Sequence, residues 1–254
     1  LEEANSLRDI GGAFFRLADY GKSMEAYQAA LAIFQQLDKK TGVAAIYALI
    51  GLIHEHSGDL DLASDYSKKA LEVSTTITPV DDDELFRMEV QQAGILNNLG
   101  SFCMARGQNE EATVYLKQAL EKANKLEVKS LVASILRNQA SISRSNGDNE
   151  KAMFQLSDAI DLAEETNDKR LFCTLTLDIA NVYSTDENYP EAKRHCEEAL
   201  AAAKDAGLRE QERQAQETLS NLCEKTGNYE AAYQHFLECA ALEESILNTE
   251  TQMP

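Results

Sequence analysis

Three series of small residues run through the chain in one register, and that register limits the fold more tightly than any other feature. The first series is Gly11, Gly51, Gly100, Ala140, Ala180 and Ser220. Its members are evenly spaced, save for one longer step between Gly51 and Gly100. Ser23, Ala63, Ala112, Ala152, Ala192 and Ala232 repeat the same steps. So do the pairs Ala30-Leu31, Ala70-Leu71, Ala119-Leu120, Ala159-Ile160, Ala199-Leu200 and Cys239-Ala240. A fixed period held over nearly all of the 254 residues signals an array of repeats, not a domain with one central core. Within one unit, Gly100–Leu120 reads as the end of a helix, a tight turn at Gly107 and most of a second helix. Small residues at these positions let two helix backbones approach, so that flanking large residues interlock as ridges into grooves. Gly58-Asp59, Gly107-Gln108, Gly147-Asp148 and Gly227-Asn228 suit a helix stop followed by a polar N-terminal cap. Pro190 falls in a first helical turn, where its missing N–H is no loss.

On these residues the chain resembles the tetratricopeptide repeat (TPR) family, whose unit is a helix–turn–helix of about 34 residues with a trailing proline. Here the unit is longer, about 40 residues, and lacks that proline. Each second helix is therefore expected to run about a turn longer, which resembles the long-repeat variant found in bacterial signalling and regulatory proteins. Other departures are visible. No tryptophan is present. The tyrosine position after the turn is kept as Tyr20, Tyr189 and Tyr229 but is Leu60, Asn109 and Asn149 elsewhere. The aromatic position of the second helix is Tyr27 and Phe236 at the ends, Leu116 and Leu156 in the middle, and Ser67 or Cys196 otherwise.

The expected fold is therefore all-α: a right-handed superhelical solenoid of six helix–turn–helix repeats, about twelve helices, forming one array over 1–254. The repeats are placed at about 4–38, 43–77, 85–126, 129–166, 169–206 and 209–250. Leu7, Ile10, Phe14 and Leu17 mark the first helix of repeat one, and Ile46, Leu49, Ile50 and Ile53 that of repeat two. The extra residues between repeats two and three are read as a surface loop over 78–84 that tilts two sub-arrays. Pro79 ends the preceding helix there and Asp83 caps the next. The last helix is extended over 229–250. Cys239, Leu242, Ile246, Thr249 and Met253 form either a short a/d seam leading to an output module or a helix that caps the array.

Composition restricts function. A net charge of −19 argues against nucleic acid and against an anionic membrane surface, and suits a solvated convex face. No apolar run reaches the length of a membrane span, and no signal peptide is present. The chain opens at Leu1 instead of a methionine and is read as a piece of a longer protein. Cys103, Cys173, Cys196, Cys223 and Cys239 are odd in number and lack framework spacing. They read as free thiols in a reducing compartment, hence cytoplasmic. There is no phosphate-cradling glycine loop, GxSxG elbow, HExxH or CxxC, so no enzyme activity and no cofactor are expected. His195-Cys196 and His235 with Cys239 share positions in neighbouring repeats but read as packing residues, not metal ligands, and His54 likewise. The acidic run at 81–84 lacks the glycine of a calcium loop.

The family resemblance implies that first helices line a concave groove holding peptides or partner helices. It places Arg8, Ala48, Asn97, Arg137, Leu177 and Glu217 on that face, with Gly12, Leu52, Ser101, Ser141, Asn181 and Asn221 next to them. About a turn further come Phe15, Glu55, Met104, Arg144, Ser184 and Glu224. Asn97, Ser101, Ser141, Asn181 and Asn221 suit holding a peptide backbone, since asparagine both donates and accepts. Arg137 and Arg144 lie two turns apart on one face as a candidate anion anchor; the alternative is that they pair with neighbouring carboxylates. Only Asn97, Arg137 and Asn181 match a fragment of the carboxylate clamp of chaperone-binding relatives, so chaperone tails are not the expected ligand. The expected function is binding of a protein or peptide, as the regulatory or sensory region of a larger signalling protein. A passive scaffold or a peptide-pheromone-type regulator are the alternatives. A homodimer through the last helix or an array end is compatible, because the last repeat lacks an obvious polar cap.

Overall fold

The computed structural model describes residues 1–251, with side chains through Ile246. Among them are twelve α-helices and no strand. They are α1 Glu2–Arg16, α2 Tyr20–Gln36, α3 Lys40–His56, α4 Leu60–Thr75, α5 Asp82–Ala105, α6 Asn109–Lys125, α7 Lys129–Ser145, α8 Asn149–Glu165, α9 Lys169–Thr185, α10 Tyr189–Asp205, α11 Arg209–Lys225 and α12 Tyr229–Thr251. Odd-numbered helices are the first helices of the repeats and even-numbered helices the second. Two compact units are formed, one of Leu1–Val128 and one beginning at Lys129.

The small positions are where a first helix meets its own second helix. A Cβ on Gly11 would stand 2.5 Å from the Tyr27 ring, and one on Gly100 2.6 Å from Leu116. Serine at this contact makes a bond across it. Ser23 Oγ donates to the Gly11 carbonyl at 2.8 Å, and in the last repeat Ser220 Oγ donates to the Ala232 carbonyl at 2.9 Å. Successive repeats are joined by aliphatic side chains laid on an alanine-rich strip. In the first unit Tyr27, Ala30 and Phe34 pack with Ile46, Ile50 and Ile53, and Ala70 packs with Ile95 and Leu99. The second unit sets Ala152, Leu156, Ala159 and Ala163 against Leu175, Ile179 and Val182, and Cys196 and Ala199 against Ala215 and Leu219.

The turns between paired helices close in the left-handed region, for instance at Gly58 and Gly147, where glycine avoids the Cβ penalty. The following N–H then returns to the helix, as Asp59 N to the His54 carbonyl at 2.9 Å and Asp148 N to that of Ser143 at 2.9 Å. Ala18 and Glu187 adopt the same positive φ without glycine. Asp59, Asp148 and Asn228 cap the second helices through their side chains, whereas Gln108 makes no such bond.

Two expectations are corrected here. The connection between repeats two and three covers 76–81, so the expected loop over 78–84 stops short and 82–84 are helical. α4 ends at Thr75, and α5 begins at Asp82 and runs for 24 residues, so much of the insertion lengthens a helix. Its cap is Asp81, not Asp83. Asp81 accepts from Glu84 N at 2.7 Å while Glu84 Oε2 accepts from Val80 N at 2.9 Å. This reciprocal arrangement satisfies two open donors. Repeats two and three also share one unit, and the division falls at Val128 instead of at the insertion. In α12, Cys239, Leu242 and Ile246 are half-buried; Thr249 and Met253 of the expected seam lie outside the described side chains. The open stripe of α12 is a different one, Tyr229, Tyr233 and Phe236.

Candidate functional site

In the second unit, α9 touches both α7 and α11, while among the described residues no comparable contact joins the second helices α8 and α10 or α10 and α12. First helices thus crowd together and form the inner face of this unit. Two polar bridges cross between them. Arg137 Nε lies 2.5 Å from Asp178 Oδ2, joining α7 to α9, and Lys225 Nζ donates to Ser184 Oγ at 3.2 Å, joining α11 to α9.

Arg137, Ser141 and Arg144 follow i, i+4, i+7 spacing and so share a face of α7. Ser141, Asn181 and Asn221 occupy the same position on three successive first helices. Ser141 and Asn181 are half-buried, Asn221 is exposed, and their side chains make no hydrogen bond among the described residues. Arg144 is half-exposed and has no ion pair or hydrogen bond among those residues. Arg137 differs. Asp178 neutralises it, so the expected pair of open arginines reduces to one cation beside an ion pair. Leu177, placed on this face from the sequence, is 5% exposed and belongs to the core. Glu217 is engaged by Arg213, which also binds Glu210.

Asn97 and Ser101 belong to the first unit. They are one turn apart on α5, which touches α3. Both are half-buried; Ser101 Oγ donates to Glu55 Oε1 at 3.3 Å, and Asn97 is also engaged in an interaction. Burial pushes the Glu55 carboxyl above its ordinary value, with His56 and the Ser101 hydroxyl opposing. At the end of α3, His56 packs with Phe15 and Tyr20, ring centroids 4.9 and 5.6 Å away. His54 stacks on Tyr66 at 5.3 Å.

The histidines and thiols are accounted for by packing. His195 stacks on Tyr183 at 5.5 Å, and His235 Nδ1 lies 2.7 Å from Gln216 Oε1. Burial lowers the pKa of both rings. Cys196 is fully buried, and burial pushes its thiol up to about 12, which suppresses the reactive thiolate. No group of three His, Cys, Asp or Glu residues that could hold a metal ion occurs among the described residues. No helix among them is long and apolar enough to cross a membrane.

Sequence reasoning missed Asp178, Ser184 as a bonded residue, and Lys225. The signal was present as an offset of 41, one more than the repeat. That offset relates Arg137 to Asp178 and Ser184 to Lys225 and marks partners across neighbouring first helices.

A family model described as tetratricopeptide repeat matches residues 2–76, 91–165 and 170–245. No curated protein matches the sequence. Among solved structures, the apo form of the quorum sensor NprR from B. thuringiensis is similar with a TM-score of 0.74 and 19% identity, over 94% of this chain and 65% of that one. A Rap protein complexed with competence and sporulation factor gives 0.72 and 16%, over 98% of this chain and 77% of that one. A STAND protein with a tetratricopeptide repeat sensor from Pyrococcus horikoshii gives 0.70 and 18%, over 98% of this chain. The chain spans only 36% of that protein's length. At these identities the likeness concerns the fold.

Proposed function

The chain belongs to the tetratricopeptide repeat family, and we propose that it is a non-enzymatic regulatory or sensory array that binds a peptide or a partner helix on its first helices. One observation carries this reading. The inner face of the second unit presents Ser141, Arg144, Asn181 and Asn221 on three neighbouring helices without partners among the described residues, at positions accessible to a ligand. Polar groups so arranged exchange water for ligand bonds without first breaking bonds of their own. Arg144 takes a carboxylate of the ligand, with Arg137 held in place behind it by Asp178. Asn181 and Asn221 each offer a donor pair and an acceptor to an extended or helical backbone, and Ser141 adds a hydroxyl. In the first unit Asn97 and Ser101 belong to the same reading only as residues already engaged, Ser101 by Glu55, so a ligand there has to exchange for existing bonds.

The similar proteins support a sensory role through what their descriptions say of them: a quorum sensor, a Rap protein in complex with a factor, and a repeat sensor attached to a signalling ATPase. Five free cysteines, four of them buried, support a reducing, cytoplasmic setting.

Selection of a random peptide display library against the full chain tests this. Wild type enriches peptides bearing a carboxylate, and Arg144→Glu lowers their affinity roughly tenfold or more, the loss typical of a charged hot spot. Enrichment of the same peptides by wild type and by the Arg137→Glu, Arg144→Glu double variant would contradict it.

A further inference from the structure

Glu55 is a half-buried carboxylate on α3 that pairs with no lysine or arginine among the described residues. Leu52 lies one turn before it on the same face. Phe15 of α1 and Met104 of α5 hold the equivalent repeat position on the neighbouring first helices. These three side chains are half-buried as well. α1 reaches α3 through the ring contact of Phe15 with His56 at 4.9 Å, and α5 reaches it through Ser101. The carboxylate is thus flanked by helices on both sides and bordered by apolar groups.

Its bonding is incomplete. Ser101 Oγ donates to Oε1 at 3.3 Å, longer than a hydroxyl donor usually reaches. Oε2 accepts no hydrogen bond among the described residues. His56, next in the chain, is the basic group that acts on Glu55, and burial still holds the carboxyl above its ordinary value. Glu89, also half-buried in this unit, has Lys125 at 3.4 Å instead. A buried charge without a cation costs stability. A group kept at such a cost, where packing does not require it, points to function.

Charge and shape select the occupant. An apolar surround with one open carboxylate oxygen suits a cation on an apolar stem. A guanidinium fits better than an ammonium, because it is more weakly hydrated and enters a half-buried site at lower cost. Its fork matches the two oxygens of a carboxylate. Its plane suits the faces of the Phe15 and His56 rings, and its methylenes suit Leu52 and Met104.

We propose that the first unit binds an arginine side chain of a peptide ligand, with Glu55 as the anchor and Phe15, Leu52 and Met104 as the walls. The proposal rests on the reading that ligands lie on the first helices. It gives the first unit a preference opposite in charge to that of Arg144 in the second. The arginine reaches Oε2 without displacing the Ser101 hydroxyl from Oε1.

The probe is the peptide acetyl-Leu-Arg-Leu-amide, compared with its citrulline counterpart, which keeps the shape of arginine without the charge. Each is titrated into the full chain at neutral pH and followed by NMR. The arginine peptide is expected to give saturable shifts at Leu52, Glu55, Ser101 and Met104. Citrulline should weaken binding roughly tenfold, the loss typical of a hydrogen bond to a charged group. Glu55→Gln should abolish the difference between the two peptides, with a thermal melt verifying its fold. Neither peptide carries a carboxylate, so Arg144→Glu should leave their binding unchanged. Failure of the second-unit reading is thereby separated from failure of this one. Three results would overturn the proposal: no saturable shift at those residues, equal affinity of the two peptides for wild type, or an arginine preference that survives Glu55→Gln. The comparison of the two peptides on wild type needs no variant.

Discussion

Glu55 shows how a single side chain on this array carries an energetic signature. It sits half-buried on α3 with the Ser101 hydroxyl as its hydrogen-bond donor, and burial raises its pKa. The folded state therefore prefers the protonated carboxyl. The stability it contributes is fully present below the unfolded value of about 4.3 and is lost as pH rises through the higher folded value. Glu55→Gln, which keeps the shape without the charge, is expected to raise the melting temperature at pH 7. The difference should close as pH falls toward about 4. A difference independent of pH would show that the charge is not its cause. This effect was not legible in the sequence, where Glu55 appeared only as one member of a row. Its pKa depends on α5 packing beside α3, a contact between residues 46 apart. Arg137 was left between two readings, an anion anchor or a partner of a neighbouring carboxylate, for a similar reason. The spacing Arg137-Ser141-Arg144 correctly placed three side chains on one face, but pairing with Asp178 is decided by the neighbouring helix.

At the level of helices and turns, the repeat register was readable because close helix contact demands small residues and penalises anything larger. Gly51 illustrates the demand. A Cβ there would stand 2.9 Å from Ser67 Oγ and 3.1 Å from the Ala63 carbonyl, which is backbone and cannot rotate aside. Gly51→Val should cost about 1–3 kcal/mol in urea unfolding. Gly94, in the interior of α5, behaves oppositely, because a Cβ there would meet nothing nearby. Gly94→Ala should gain about 0.5–1 kcal/mol from backbone entropy alone. Equal destabilisation by both would mean that helix contact does not set the small positions. Element ends were harder to read. Asp81, Asp82, Asp83 and Glu84 are all acceptable near a helix start, and the choice of Asp81 as the cap rests on the reciprocal bonds with Glu84 and Val80. The stripe of α12 was likewise ambiguous, since two apolar lines run along that helix. The described part of the 239–242–246 line is half-buried while Tyr229, Tyr233 and Phe236 stay open.

Across the whole molecule, the sequence specified a repeat array far better than a ligand. Periodicity is imposed by packing and is the same in every unit, so it accumulates as signal. A binding face is defined by where units differ, as in Arg144 against Ser184 and Glu224 at equivalent positions, and one sequence contains each difference once. What matters most is whether the first-helix face of the second unit holds the ligand. Backbone chemical-shift mapping by NMR, with the strongest carboxylate-bearing peptide from the display selection, answers this. Perturbations are expected at Ser141, Arg144, Asn181 and Asn221, with α8 and α10 unmoved on their outer faces. Perturbations confined to the second helices, or unchanged in Arg144→Glu, would contradict a ligand on that face.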